Sequence, residues 1–209
     1  MLKLYIRPVC LLRPEEEVAS LSLLVESRRE KVRTIKGKEN RSRSIAAGLL
    51  LRYMLLEEQI PYAEESFGLE EHGKPRLKKD WVFFNLSHAG AYVAGVLSDV
   101  PVGVDVEQQN RFLQETRNRK LAKRILTEAE WNWWKDAGDD PQELLRFWTR
   151  KESYVKMTGE GMTKAFHTVD TLHGKYYKEI PLGTIKDRYL ISVCTQEDRT
   201  CDFVCKMLD

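Results

Sequence analysis

The chain has no apolar run near the roughly 18 residues that would span a bilayer, and its opening stretch, MLKLYIRPVCLLRPEEE, is interrupted by Lys3, Arg7 and Arg13. Neither a secretory signal nor a membrane span is expected. Cysteine is scarce. Cys10, Cys194, Cys201 and Cys205 form no CxxC pair, so the common zinc and thiol-redox spacings are excluded and reduced thiols, packed as small hydrophobes in a cytoplasmic protein, are expected. There is no GxxxxGK[ST] and no GxGxxG, which removes the P-loop and dinucleotide-binding readings. An excess of one charge is also missing: 34 Lys and Arg against 32 Asp and Glu leave a net +2, too mild to announce nucleic acid. No low-complexity segment or repeat stands out.

What is there belongs to a globular protein. The 209 residues are 42% hydrophobic and 32% charged, enough for one sizeable core or two smaller lobes of roughly 100 residues. The positive charge is uneven. RREKVRTIKGKENRSR at 28 to 43 and RNRKLAKR at 117 to 124 flank an acidic cluster, a distribution suited to an anionic ligand or partner.

Residues 2 to 12 alternate loosely as a strand, and a helix is expected from Glu15 to Lys31 with Val18, Leu21, Leu24 and Val25 on its apolar face. Ile45, Leu49, Leu50, Tyr53 and Met54 predict a longer helix from Asn40 to Glu58, with Arg43 near its start. WVFFNLS (81 to 87) and YVAGVLS (92 to 98) read as strands joined by HAG. Thr127 and Glu130 form a capping box for a helix ending near Gly138. Asp140, Pro141 and Glu143 then supply a cap, a first-position proline and an acidic first turn for a helix to Gly159. Short strands should follow, among them YLISVC and CDFVCKML. Each half thus holds helix and strand, an α+β fold with a join near 99 to 103.

The stretch VGVDVE, 102 to 107, carries the chemistry. In a strand, Val102, Val104 and Val106 share one side while Gly103, Asp105 and Glu107 share the other, so core-facing valines force two carboxylates together roughly 7 Å apart at Cα. Such a pair repels unless a proton or cation lies between. A solvated sheet edge would explain a lone DxE equally well. In FWTRKESYVK (147 to 156), however, Lys151 and Glu152 fall within the apolar arc marked by Leu144, Trp148 and Val155. An exposed Glu152–Lys156 pair explains two of these charges and leaves Lys151 without a reason. A third carboxylate beside lysines is the arrangement expected for a hard divalent ion with a phosphorylated substrate.

GVDVE at 103 to 107 followed by WTRKESYVK at 148 to 156 resembles the paired signature of the 4′-phosphopantetheinyl transferases. GKP at 73 to 75 and NLSHAG at 85 to 90 resemble the upstream motifs of the longer, surfactin-synthetase-activator type, in the same order. The resemblance runs from Lys31 to Gly161. It implies two similar lobes in one chain, a pseudo-dimer in which each small antiparallel sheet packs on a long helix, with the site in the cleft between. The lobes would be 1–102, the coenzyme A side, and 103–209, the metal and carrier side.

By the same resemblance a monomeric enzyme transfers the phosphopantetheine arm of coenzyme A to a serine of an acyl or peptidyl carrier protein. Asp105, Glu107 and Glu152 would hold Mg²⁺, or Mn²⁺, against the pyrophosphate, and Glu152 is also a candidate base. Lys156 and its neighbour Lys151 would meet the pyrophosphate. Gly73, Lys74 and Pro75 would lie along adenine and ribose, Ser87 and His88 would meet coenzyme phosphates, and Lys31 and Arg43 would stand near the 3′-phosphate. Arg117, Arg119, Lys120, Lys123 and Arg124 would steer an acidic carrier.

Two rival readings remain at this stage. A metal-dependent nuclease also needs two acids and an ExxxK helix, but leaves GKP and LSHAG unexplained. A non-catalytic nucleic-acid or partner-binding module would rest on the basic runs alone.

Overall fold

The valines, leucines and isoleucines that alternate along the chain are gathered into two sheets. A computed structural model of the chain describes residues 1–69, 73–160, 165–184 and 187–208. Strand β1 (Leu2–Pro8) is followed by helices α1 (Pro14–Ser22), α2 (Glu26–Arg33) and α3 (Lys38–Glu57). The small hairpin β2 (Phe67–Leu69) and β3 (Pro75–Leu77) leads into β4 (Phe83–Ala89), β5 (Tyr92–Ser98) and β6 (Val102–Gln108). Helices α4 (Glu115–Ile125), α5 (Glu128–Asp136) and α6 (Pro141–Thr158) follow, then β7 (Tyr176–Gly183), β8 (Arg188–Thr195) and β9 (Phe203–Met207).

The single helix expected over Glu15 to Lys31 is two. An extended Val25 interrupts it and lets Leu24 sink against Gly48 of α3, where a Cβ would lie 2.9 Å from its Cδ2. Val18, placed on the apolar face by its spacing, is exposed because α1 buries no residue of its own.

The first sheet has the order β4-β5-β1-β9 and the second β6-β8-β7. β9 pairs parallel with β1, Leu2 opposite Phe203 and Ile6 opposite Met207. Residues 103–209 therefore do not form a self-contained lobe, since the last strand returns to the sheet of the N-terminal half. Parallel pairing between strands some 200 positions apart leaves no short-range turn signal to read.

One face of the first sheet packs on α3 through Tyr5, Leu50, Met54, Val93 and Leu97. Its other face, with Leu2, Leu4, Ile6, Ala94 and Val96, shares a core with Val102, Val104, Val106, Ile191 and Val193 of the second sheet. A third cluster gathers α4, α5 and α6 around Trp134, Leu144 and Phe147. The helix caps fall where the sequence puts them. Thr127 Oγ1 accepts from Glu130 N at 3.2 Å, Asp140 Oδ1 accepts from Gln142 N at 2.8 Å, and left-handed Gly159 (φ 74°) ends α6. All four cysteines are free thiols, and only Cys194 is buried. Among the described residues no helix is long and apolar enough to cross a membrane.

Candidate active site

With the valines of β6 committed to the shared core, Gly103, Asp105 and Glu107 face α6. Gly103 sets the approach: a Cβ there would lie 1.9 Å from the carbonyl oxygen of Ser153 and 2.5 Å from the amide of Met157. Strand and helix backbones touch at this point, which brings both acids beside the Glu152–Lys156 segment.

β4 closes the edge of β6 with side chains. Asn85 Oδ1 accepts from the Val104 amide at 3.0 Å, and Ser87 Oγ accepts from the Val106 amide at 3.3 Å. Residues two apart on a strand share a side, so Asn85 and Ser87 reach successive free amides. Ser87 Oγ also donates to Asp105 Oδ1 at 3.0 Å and accepts from Lys156 Nζ at 3.0 Å. Lys156 Nζ stands 2.6 Å from the same Asp105 oxygen, so the lysine pairs across the interface rather than with Glu152 one turn away.

Glu107 Oε1 accepts from the Arg111 guanidinium and from Trp148 Nε1 at 3.3 Å. The second oxygens of both acids, Asp105 Oδ2 and Glu107 Oε2, are buried without a hydrogen-bond partner. Glu152 makes no hydrogen bond or ion pair among the described residues. Burial raises its pKa to about 7, with the charges of Asp105 and Glu107 pushing the same way and Lys156 and Arg111 opposing. Glu107 is also raised, first by burial and then by Asp105, against Arg111 and Trp148. Negative charge here exceeds what the local cations offset.

Three carboxylates, two of them each carrying an orphaned buried oxygen, offer the all-oxygen donor type that Mg²⁺ or Mn²⁺ prefers. Among the described residues no three acidic, histidine or cysteine side chains converge closely enough to ligate an ion as they stand. Lys156 and Arg111 hold the positive charge on the acids instead.

In the N-terminal half, Lys31, Gly73 and Pro75 line one cavity of about 310 Å³ together with Arg28, Tyr62 and Phe67. Lys31 has a lowered pKa, from burial and from nearby Arg28. Arg28 is the feature the sequence reading missed there. One of its nitrogens donates to the Ser44 carbonyl at 2.9 Å, while its buried Nε has no partner. The signal was present in the basic run 28 to 43, but helix phase alone does not pick one arginine. Lys74 is absent from this lining and donates to the Met157 carbonyl at 3.3 Å, while sharing a second, smaller pocket with Pro75. Arg43 donates to the Gly90 carbonyl at 3.3 Å and to Asn40 Oδ1 at 2.7 Å, at the hairpin turn after His88. His88 is exposed near the end of β4, and partial desolvation followed by the charges of Arg43 and Lys156 lowers its pKa.

Lys151 does not reach the pyrophosphate position implied for it. It is fully buried and paired at 2.6 Å with Glu130, itself fully buried. Its other N–H groups go to the carbonyls of Phe166, at 3.0 Å, and Val169. An ammonium has three donors, and all are used. Glu130 in turn accepts from Thr127 N, Thr171 N and Thr171 Oγ1. Lys151 sits within the apolar arc because it pins α6 to α5 and to residues 166–171.

Arg111 and Asn85 complete the site and were not singled out by their spacing. Asn85 obeys the same two-residue rule that pairs Asp105 with Glu107, while Arg111 lies four residues beyond Glu107 on a short 3-10 turn whose presence the sequence does not announce.

A family model described as the 4′-phosphopantetheinyl transferase superfamily matches residues 101–204, from β6 through β8 into β9. The 4′-phosphopantetheinyl transferase Sfp of Bacillus subtilis (strain 168) is 28% identical over 156 residues, covering 73% of this chain and 67% of that protein. The 4′-phosphopantetheinyl transferase gsp of Aneurinibacillus migulanus is 33% identical over 123 residues, 57% of this chain and 49% of its own length. A 4′-phosphopantetheinyl transferase of Bacillus subtilis is 25% identical over 203 residues, 90% of this chain and 88% of the relative. With a family model matched from β6 into β9 and relatives of the same description along the chain, the chain belongs to the 4′-phosphopantetheinyl transferase superfamily.

Proposed function

We propose that this transferase moves the 4′-phosphopantetheine arm of coenzyme A onto a serine of an acyl or peptidyl carrier protein, releasing adenosine 3′,5′-bisphosphate. The observation that carries the reading is the meeting of Asp105, Glu107, Glu152 and Lys156 across the β6–α6 contact, with two buried carboxylate oxygens left unpartnered.

Asp105, Glu107 and Glu152 would hold a divalent ion, Mg²⁺ or Mn²⁺. When bound, the ion supplies neutralisation of charge on the departing phosphate. Lys156, released from Asp105, meets the pyrophosphate as a point charge on a flexible stem. Ser87 acts on the protein itself, holding Asp105 and Lys156 in register with the edge of β6.

The adenosine end of the coenzyme lies at the cavity lined by Lys31, Arg28, Gly73 and Pro75, with His88 in the field of Arg43 and of Arg28. The unpartnered Nε of Arg28 supports an anionic group there, because a buried guanidinium donor is costly to leave unmade. The packing of α3 on the first sheet and of α6 on β6 and β8 supports two lobes, with this cavity lying within the first.

Intact-mass spectrometry of an apo carrier protein, mixed with this chain, coenzyme A and Mg²⁺, tests the proposal. The carrier should gain the mass of the arm on its serine, and should gain nothing when EDTA replaces Mg²⁺. Failure to load any of a fatty-acid, a polyketide and a peptidyl carrier would reject it.

A further inference from the structure

Arg111 stands at a junction. Its guanidinium pairs with Glu107, yet it is half exposed and also lines a groove of about 250 Å³ with Arg117, Lys120, Arg124, Phe112 and Trp148. Arg117, Lys120 and Arg124 follow one another at three- and four-residue spacing, so they share a face of α4. Among the described residues none of these three has an ion-pair partner, whereas Arg119, on another face, is taken by Glu115 and Asp139. No carboxylate lines the groove. Three unpaired cations gathered around two aromatic rings make a surface for an acidic partner.

Glu107 is nine-tenths buried, and one of its oxygens is an orphan. The same carboxylate therefore has two competing cations, the guanidinium it holds now and the divalent ion proposed above. If Arg111 leaves Glu107, it remains in a groove already crowded with positive charge, an unfavourable place unless an anion arrives. The released state is thus stabilised by whatever acidic surface docks there.

We propose that Arg111 is a resident counter-ion which Glu107 exchanges for the divalent ion, and that the freed guanidinium joins Arg117, Lys120 and Arg124 in binding the acidic carrier protein. Metal loading and carrier docking are then coupled through one side chain, and the coupling must be reciprocal. Trp148 Nε1, which also donates to Glu107, keeps the carboxylate oriented while its other partner changes. This inference rests on the metal assignment and the carrier-protein reading made above, and goes beyond both by naming the residue that links them.

The test is Mn²⁺ titration followed by electron paramagnetic resonance, on the full chain with and without an apo acyl carrier protein. In the wild type the carrier should tighten Mn²⁺ binding. Arg111→Gln should bind Mn²⁺ roughly two- to fivefold more tightly without carrier, the range of a half-exposed ion pair, and should show no further gain when carrier is added. Arg111→Lys, which keeps a cation, should restore most of the gain. Arg117→Gln removes a charge from the groove without touching Glu107, so it should weaken carrier binding and, without carrier, tighten Mn²⁺ binding by less than Arg111→Gln does. Circular dichroism melting confirms that each variant is folded. An Arg111→Gln protein with wild-type Mn²⁺ affinity and an undiminished carrier effect would overturn the inference while leaving the metal assignment intact. A wild type that binds no Mn²⁺, or binds it no better than Glu107→Gln, would overturn the metal assignment and this inference with it.

Discussion

A Cβ on residue 103 would sit 1.9 Å from the carbonyl oxygen of Ser153, so β6 and α6 approach each other only because Gly103 has no side chain. The obstacle is backbone, which no rotamer change relieves. Gly103→Ala should therefore push strand from helix and destabilise the protein by about 1–3 kcal/mol or more. Urea unfolding gives the number. Transfer activity should fall further than the folded fraction does, because Asp105 and Glu107 move away from Glu152.

The same contact predicts what removing an acid does. Asp105→Asn keeps the size of the side chain and discards the negative charge that Glu107 and Glu152 oppose. Its melting temperature should change little, the relieved repulsion offsetting the lost Lys156 pair, while transfer is abolished. Glu152→Gln should behave alike and should also weaken Mn²⁺ binding. Unchanged Mn²⁺ affinity with lost turnover would instead assign Glu152 the serine proton.

The buried Lys151–Glu130 pair concerns stability alone. Lys151→Met leaves a carboxylate buried without its ammonium, and Glu130→Gln leaves the converse, so each should cost about 3–5 kcal/mol. A double variant with both polar groups replaced should cost less than the sum, the mark of a coupled pair in a mutant cycle. The KM for coenzyme A of folded Lys151→Met should be unaltered. A raised KM would return this lysine to the coenzyme.

His88 gives a pH dependence. Its pKa is lowered from 6.5, first by desolvation and then by Arg43 and Lys156. The unfolded chain therefore takes up the proton first as pH falls. The contribution of this group to stability is fully present above 6.5 and is lost as pH drops from there through the lower folded value. NMR titration of the imidazole should find it neutral at pH 7 and show its pKa rising when coenzyme A is added, as a phosphate nearby favours the cation. His88→Ala should raise the KM for coenzyme A more than it lowers kcat.

Much of this was legible along the chain, and for identifiable reasons. The period-two rule needs only local sequence, so Val102, Val104 and Val106 sorted themselves from Asp105 and Glu107 before any fold was known. Caps are equally local, and Thr127, Asp140 and Gly159 fixed the ends of α5 and α6. Long-range partners were not legible. Nothing near Lys151 in the sequence says that a capping glutamate twenty-one positions earlier is also its counter-ion, or that the carbonyls of Phe166 and Val169 will take its remaining donors. The return of β9 to β1 and the turning of Lys74 to the Met157 carbonyl, outside the cavity of Gly73 and Pro75, are likewise products of tertiary packing.

The central claim is that Asp105, Glu107 and Glu152 share one divalent ion at the β6–α6 contact. A crystal of the protein grown with Mn²⁺ and coenzyme A, measured at the manganese absorption edge, tests it most directly. The account predicts one anomalous peak bounded by oxygens of all three carboxylates, with Lys156 moved off Asp105 onto the pyrophosphate. An ordered site with Lys156 still on Asp105, Arg111 still on Glu107 and no anomalous peak between them would contradict it.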